Sequence, residues 1–252
     1  MQDRYVGDFG DFVKLAILRA LSPGKRLGVG WWLHPGSGPP GDGRHIGYLD
    51  EAAKWRDLDP KLFDALQGVV RSGRRQVDAL EEAVLIPDAT YFRQAVPIAA
   101  PPAARRDNRA AWFARMKDAL EGCDLVFLDP DNGLEPSGFS HGEAKAGKCV
   151  TLAELEGLRN VGRALVVYHH HTRRPGGHLE EISYWSNRLR ENGFSPVDAL
   201  RSKPFSPRVF FILGGNDTLR QRASALSERW GDLLSWHPDL ASDTIPAPGS
   251  AG

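Results

Sequence analysis

The sequence predicts an α/β fold in which helices cover both faces of a mostly parallel β-sheet. Two short apolar runs, 125–128 and 164–168, show no alternation of polar and apolar residues, which is typical of strands buried on both faces. Segments with helical periodicity separate such runs, as expected when parallel strands are joined by crossover helices. Ligands of open α/β sheets bind outside the carboxyl ends of the strands, so reactive side chains are expected there.

The predicted elements begin with an extra N-terminal helix over 11–21, which Ser22-Pro23-Gly24 ends. A first strand follows over 26–33 and leads into a loop rich in glycine and proline. The remaining helices are predicted over 48–55, 60–72, 108–120, 151–159, 178–192 and 218–234, and the remaining strands over 83–86, 90–92, 125–128, 164–168 and 209–213. The last strand lacks a clear right-handed crossover and is allowed to run antiparallel.

The chain shows no internal repeat or interdomain linker, so we expect one domain over 1–240. Residues 241–252 are rich in proline, serine, glycine and alanine and are predicted to be a disordered tail.

The composition limits the classes of protein to which the chain can belong. Lysine plus arginine and aspartate plus glutamate both number 32, so the net charge does not indicate a nucleic-acid-binding protein, although a local basic patch is compatible with this balance. Two cysteines without CxxC spacing argue against a disulfide scaffold and a structural zinc site. Without a signal peptide or a membrane-spanning run, we expect a cytoplasmic protein that makes no membrane contact.

The segment 129–135 carries the strongest functional signal. It follows the apolar run 125–128 and reads Asp-Pro-Asp-Asn-Gly-Leu-Glu, in which Asp-Pro and Asn-Gly turn the chain away from the sheet. Asp129, Asp131 and Asn132 are therefore candidate catalytic residues.

Three segments, 7–14 (Gly-Asp-Phe-Gly-Asp-Phe-Val-Lys), 34–38 (His-Pro-Gly-Ser-Gly) and 129–132 (Asp-Pro-Asp-Asn), occur in an informative order. They resemble the N-terminal signature, the cofactor loop and the Asp-Pro-Pro-Tyr catalytic motif of the large-subunit ribosomal RNA adenine-N6 methyltransferases, a Rossmann-like family that uses S-adenosylmethionine. A closer likeness is to a group of bacterial proteins without an assigned activity, which share the Asp-Gly-Arg-His and Asp-Pro-Asp-Asn-Gly patterns.

The resemblance implies a Rossmann-like methyltransferase-type sandwich that acts on nucleic acid and binds S-adenosylmethionine. The cofactor-binding residues it implies are Asp11, Lys14, His34, Gly36 and Gly38. We expect catalytic roles for Asp129, Asp131, Asn132 and His170. The candidate substrate-binding residues are Tyr5, Arg44, His45, Arg173 and Arg174, and a base is expected to stack on Tyr5, Trp31 or Trp32.

The sequence also departs from this family. Trp32 stands in place of the acidic residue that ends the family's first strand. Asp131 and Asn132 replace the second proline and the tyrosine of the catalytic motif. The acceptor for a target amino group is thus retained in Asp129, whereas the side chain that stacks on a flipped base is not.

Two other functions are open on the sequence alone. Asp129 and Asp131 with His169 and His171 are potential ligands of Mg²⁺, Mn²⁺ or Zn²⁺, and a metal-bound water, or His170 as general base, would then cleave a phosphodiester. Alternation along the strand sends His169 and His171 to one side and His170 to the other, so at most two of the three serve one site. A third hypothesis is an inactive methyltransferase fold that binds nucleic acid or a protein partner. The oligomeric state stays open.

Overall fold

A computed structural model describes residues 1–35, 43–83, 85–172 and 174–240 of the chain. Its strands are β1 (Leu27–Gly30), β2 (Thr90–Phe92), β3 (Leu125–Leu128), β4 (Gly133–Leu134), β5 (Cys149–Val150), β6 (Ala164–His170), β7 (Val197–Ser202), β8 (Arg208–Leu213) and β9 (Leu234–His237). Its α-helices are α1 (Phe9–Leu21), α2 (Ala52–Trp55), α3 (Pro60–Arg71), α4 (Val77–Glu82), α5 (Pro102–Ala119), α6 (Leu152–Leu158), α7 (Gly177–Glu191) and α8 (Asp217–Trp230).

The central sheet has the strand order β2-β1-β3-β6-β8-β7-β9. Neighbours β2, β1, β3 and β6 are parallel, whereas β8 is antiparallel to both β6 and β7, and β9 is antiparallel to β7. β7 therefore runs in the direction of the parallel set, and five of the seven strands share one direction. This confirms the α/β class and the mostly parallel sheet. β4 and β5 form a separate two-stranded sheet.

The two faces of the sheet are covered by different helices. Leu125 and Phe127 of β3 belong to one apolar cluster with α1, α3 and α8, which we call the first face. Val126 and Leu128 belong to a second cluster with α5, α6 and α7, the second face. Because both faces of the strand are buried, its sequence contains no polar alternation.

The predicted helices differ from the observed ones mainly at their first turns. Helix α1 begins at Phe9, before the predicted residue 11, because the Asp8 side chain accepts a hydrogen bond from the Asp11 amide (3.1 Å) and caps the helix. Helix α5 begins at Pro102, ahead of the predicted residue 108, since proline is well suited to the first position of a helix.

Some predicted strands were wrong and others were missed. The described residues of 83–86 form turns, and the preceding α4 was not predicted. β7 escaped prediction because its sequence contains Asp198, a buried carboxylate that accepts from the Asp239 amide (2.7 Å) and from Arg220 (3.2 Å). The last predicted helix ends at Trp230, because Gly231 adopts a positive φ of 54°, and β9 follows.

In the part of the chain that the structure describes, no helix combines the length and the apolar character needed to cross a lipid bilayer. The tail predicted over 241–252 lies outside the described residues.

A buried ion pair ties the second-face helices to the segment that follows the Asp-Pro loop. Arg109 of α5 donates from Nε and Nη2 to the Glu154 carboxylate (2.6 and 2.8 Å), and its terminal nitrogens also donate to the carbonyls of Ala146 and Cys149. Glu154 also completes a capping box with Thr151 at the start of α6. This network holds the segment 146–149 in place. Lys148 belongs to this segment and lies at the carboxyl ends of the strands.

We expect Arg109→Gln to lower the free energy of unfolding by about 3–5 kcal/mol, because the substitution leaves the Glu154 charge buried without its partner. Arg56→Gln is the matched control, since Arg56 pairs with Asp64 on an exposed surface and should leave stability nearly unchanged. Urea unfolding at pH 7 measures both variants. Equal losses in the free energy of unfolding for the two variants would show that the buried network stabilises the fold no more than the exposed ion pair does.

Candidate active site

A cleft of about 340 Å³ lies at the carboxyl ends of β3 and β6. Two groups of predicted residues line it: Tyr5, Asp11, Lys14 and His45 from the N-terminal third of the chain, and Asp129, Asp131, Asn132 and His170 from the segments that end β3 and β6. Strand β2 pairs with one edge of β1, and the later strand β3 pairs with the opposite edge of β1. Such a switch in direction opens a crevice where ligands of α/β sheets bind.

Lys14 connects helix α1 to the end of β3 through two buried ion pairs. Its Nζ lies 2.6 Å from Oδ2 of Asp129 and 2.9 Å from Oδ1 of Asp11, and the three side chains are at most 6% exposed. Burial disfavours the ammonium, but the two carboxylates outweigh this effect and raise the pKa of Lys14 above its ordinary value. Burial also raises the pKa of Asp11, to about 6, although Lys14 opposes the shift. We refer to these three residues as the Lys14 cluster.

Asp131 is held by the N-terminal residues of the chain. The Met1 amino group lies 2.7 Å from Oδ1 of Asp131, and the Gln2 side-chain amide donates to Oδ2. The same amino group donates to the carbonyls of Trp32 (3.1 Å) and Asp129 (2.8 Å). Burial opposes ionisation of Asp131, yet the positive amino group outweighs it, so the pKa of Asp131 falls below its ordinary value.

The three consecutive histidines point to opposite faces of the sheet, as alternation along the strand predicted. His169 and His171 both contact Glu181 of α7 on the second face, at 3.2 and 3.1 Å. His170 lines the cleft, and its Nδ1 lies 3.4 Å from the Tyr168 hydroxyl. Burial lowers the pKa of His170, so this ring is neutral at pH 7 and has a nitrogen able to accept a proton.

Gly133 is required where the Asp-Pro loop passes β6. It adopts a φ of 90°, and a Cβ at this position would overlap His169. The close approach lets the Leu134 amide donate to Nδ1 of His169 (3.1 Å), while Nε2 of His169 contacts Glu181. His169 therefore fixes the loop position and has no ring nitrogen left for the cleft.

The alternative metal site is not assembled. Asp129 pairs with Lys14 and Asp131 with the Met1 amino group, whereas His169 and His171 contact Glu181 on the other face. Across the described ranges, no group of three or more histidine, cysteine, aspartate or glutamate side chains has the geometry to hold a metal ion. The strand alternation that separates the histidines is the physical reason.

The other predicted residues lie around or outside the cleft. His34 is buried, and burial lowers its pKa. Arg44 is exposed, and Arg174 places its guanidinium 3.4 Å from the centre of the Tyr184 ring on α7. Gly36, Gly38 and Arg173 lie outside the described residues.

The expected stacking on Trp31 or Trp32 was wrong. Both indoles are at most 1% exposed. Trp31 donates to Glu81 (2.7 Å) on the first face, and Trp32 packs against Trp112 on the second. Neither ring is accessible to a base, whereas Tyr5 does line the cleft.

Sequence reasoning missed Arg208, which lines the cleft with Ser206. Arg208 begins β8 and is paired in register with His170, the last residue of β6. Because β8 is antiparallel to β6, its first residue lies at the end of the sheet where the parallel strands finish. The signal in the sequence was a charged residue directly before the apolar run 209–213.

The burial of His171 predicts a pH dependence of stability, although the contact with Glu181 opposes it. Burial lowers the pKa of His171 to about 4, below the ordinary value of 6.5. Between these pH values the unfolded chain takes up a proton that the folded chain does not, so the stabilisation by neutral His171 is complete above pH 6.5 and is lost as the pH falls to 4.

We therefore expect the stability difference between the wild type and His171→Asn to be largest at pH 7 and to narrow steadily down to pH 4, as measured by urea unfolding. A difference that is constant with pH, or that grows on acidification, would contradict the assignment of a neutral His171.

Comparison of the sequence with models of known protein families and with curated proteins finds no match.

Proposed function

We propose that this protein is an S-adenosylmethionine-dependent methyltransferase that acts on an amino group of a nucleic-acid base. The observation that carries this proposal is the arrangement of Asp129 in the cleft. Its Oδ2 is fixed by Lys14, whereas no described residue donates a hydrogen bond to Oδ1. A fixed carboxylate with one oxygen available at the end of a central strand suits the recognition of a substrate amino group.

The topology supports this proposal. Asp129 directly follows β3, and β3 lies beside β1 at the position where the strand order changes direction. Doubly wound sheets of the Rossmann type bind nucleotide-like ligands at such a position. The resemblance of the segments at 7–14 and 129–132 concerns residues that meet in this cleft.

The cleft offers carboxylates to a cationic cofactor, although Lys14, Lys148 and Arg208 also line it. S-Adenosylmethionine carries a positive sulfonium and an ammonium group, and Asp8, Asp11 and Asp129 place carboxylates along the cleft. Burial raises the pKa of Asp8 and Asp11, so a cationic ligand would favour their ionised forms. The volume of about 340 Å³ lies within the range of small-molecule sites, roughly 300–1,000 Å³. The predicted Gly36 and Gly38 contacts lie outside the described residues.

The cofactor supplies an electrophilic methyl group, and its transfer depends mainly on alignment with the nucleophile. Asp129 accepts a hydrogen bond from the amino group and directs the nitrogen lone pair along the cleft. Lys14 prevents the carboxylate from turning away. Neutral His170 would accept the proton that the nitrogen loses when the methyl group passes from sulfur to nitrogen, which breaks the sulfur–methyl bond and leaves S-adenosylhomocysteine.

The other two hypotheses gain no specific support. Metal-dependent phosphodiester hydrolysis would use carboxylates that here pair with amino groups and histidines that face α7. For an inactive binding module, the described contacts offer no feature that a methyltransferase would not also have.

We expect Asp129→Asn to reduce methyl transfer from S-adenosylmethionine to nucleic acid by about 100-fold or more, because the amide no longer offers a charged acceptor to the substrate. Transfer of a radiolabelled methyl group to total bacterial RNA and to DNA measures this effect. Asn is nearly isosteric and still accepts from Lys14, so the fold should be kept.

Asp124→Asn is the matched control. Asp124 immediately precedes β3 at the opposite end of the same strand and pairs with Arg26 on the surface. This variant should transfer methyl groups at the wild-type rate. No transfer by the wild type to any RNA or DNA, or equal loss in both variants, would contradict the proposed function.

A further inference from the structure

The turn between β7 and β8, residues 203–207, and the first residue of β8 place two unexplained side chains beside the cleft. Phe205 is 48% exposed and adopts a φ of 60°, which is unfavourable for a bulky residue. Arg208, three positions later, is only 5% exposed although it carries a permanent charge. Strained backbone and buried charge both cost free energy, and they often mark functional sites.

The guanidinium of Arg208 has unused hydrogen-bonding capacity. Its Nε donates to the Ser206 carbonyl (3.0 Å), but within the described residues no carboxylate lies within 4 Å of it, and no acceptor contacts its terminal nitrogens. Asp8 is near enough for Arg208 to oppose the rise that burial causes in the pKa of Asp8, and its Oδ1 accepts from the Asp11 amide. A buried guanidinium that lines a cleft without an ion pair suits a planar, bidentate oxyanion.

Arg208 lies over the first turn of helix α1. A Cβ on Gly10 would overlap its terminal nitrogen, so glycine is required for this approach. Helix α1 has 13 residues, and its N-terminus adds a positive partial charge at the same place. The Asp8 carboxylate already caps this helix end, so the buried guanidinium is the group that favours an added anion at this position of the cleft.

Phe205 provides an aromatic surface next to this position. Its ring packs against Phe9 (4.8 Å between ring centres) and lies 5.2 Å from the ring of His45, a residue that lines the cleft. Phe9 and Gly10 are consecutive, so Phe205 and Arg208 meet neighbouring residues of the same helical turn. A half-exposed ring beside a buried guanidinium matches the base and the phosphate of a nucleotide.

We propose that Phe205 and Arg208 form a subsite for one nucleotide of a single-stranded nucleic acid, in which Phe205 stacks on the base and Arg208 pairs with a phosphate. The inference deepens the proposed function, on which it rests for the identity of the ligand. The group that Arg208 binds is an oxyanion in either case. In this proposal it is the phosphate of the nucleotide, and the alternative is the carboxylate of the cofactor.

The test is the binding of fluorescent single-stranded RNA and DNA oligonucleotides, followed by anisotropy at several salt concentrations. Loss of one stacked base is worth about 1–3 kcal/mol, so Phe205→Ala should weaken binding roughly 5- to 150-fold. Arg208→Gln should reduce the slope of log affinity against log salt by about 0.7, whereas Arg208→Lys should keep the slope and still bind more weakly. Leu179→Ala and Arg229→Gln, on the exposed sides of α7 and α8, are controls that should bind as the wild type does.

Calorimetric titration with S-adenosylhomocysteine distinguishes the two sources of the oxyanion. We expect its affinity to be unchanged in the Phe205 and Arg208 variants, which also shows that they are folded. If Arg208 variants lose this affinity and keep oligonucleotide binding, the oxyanion is the cofactor carboxylate and the proposal is overturned. Wild-type oligonucleotide binding by Phe205→Ala, or no binding by the wild type, would also overturn it. If the wild type binds oligonucleotide through Phe205 but does not bind S-adenosylhomocysteine, the proposed methyltransferase function is contradicted and the nucleotide subsite is kept.

Discussion

The buried contact between Lys14 and Asp129 is the interaction on which the cleft depends. It joins the first helix to the end of a central strand across 115 positions of sequence. With Asp11 included, one ammonium lies between two carboxylates that are almost fully removed from water. Such an arrangement depends on the ammonium, because loss of Lys14 would leave two buried carboxylates without a cation, whereas loss of one carboxylate leaves the other ion pair in place. The position of helix α1 and the orientation of Asp129 are therefore set together.

The sheet places the other side chains around this contact. Parallel β1, β3 and β6 end at the same edge, and the antiparallel β8 begins there. Side chains that follow β3 and β6 and the side chain that starts β8 thus meet in one cleft. Strand alternation then divides the three histidines: His170 faces the cleft, whereas His169 and His171 contact Glu181 and hold the adjoining loop and helix.

The local patterns predicted the fold class because apolar runs and helical periodicity report burial directly. They placed Asp129 and His170 after two buried strands, and because these strands prove to be neighbours, the two residues share one end of the sheet. They did not find β7, because the buried charge of Asp198 is explained only by Arg220 and Asp239, which are distant in sequence.

The partners of the site residues were likewise beyond reach from sequence. No local sequence pattern indicates that Lys14 pairs with Asp129. None indicates that Glu181 contacts the two histidines that were predicted as metal ligands. Arg208 was missed because its place in the cleft follows from the antiparallel pairing of β8, which depends on the assembled sheet.

The most direct test of the account is the thermal stability of chelator-treated protein with S-adenosylhomocysteine, and separately with Mg²⁺, Mn²⁺ and Zn²⁺. A ligand present at a hundredfold excess over its dissociation constant adds about 2.7 kcal/mol to the free energy of unfolding, which raises the melting temperature measurably. We predict that S-adenosylhomocysteine gives this rise without any metal. A rise with a metal ion and none with S-adenosylhomocysteine would contradict the assignment of the cleft as a methyltransferase site.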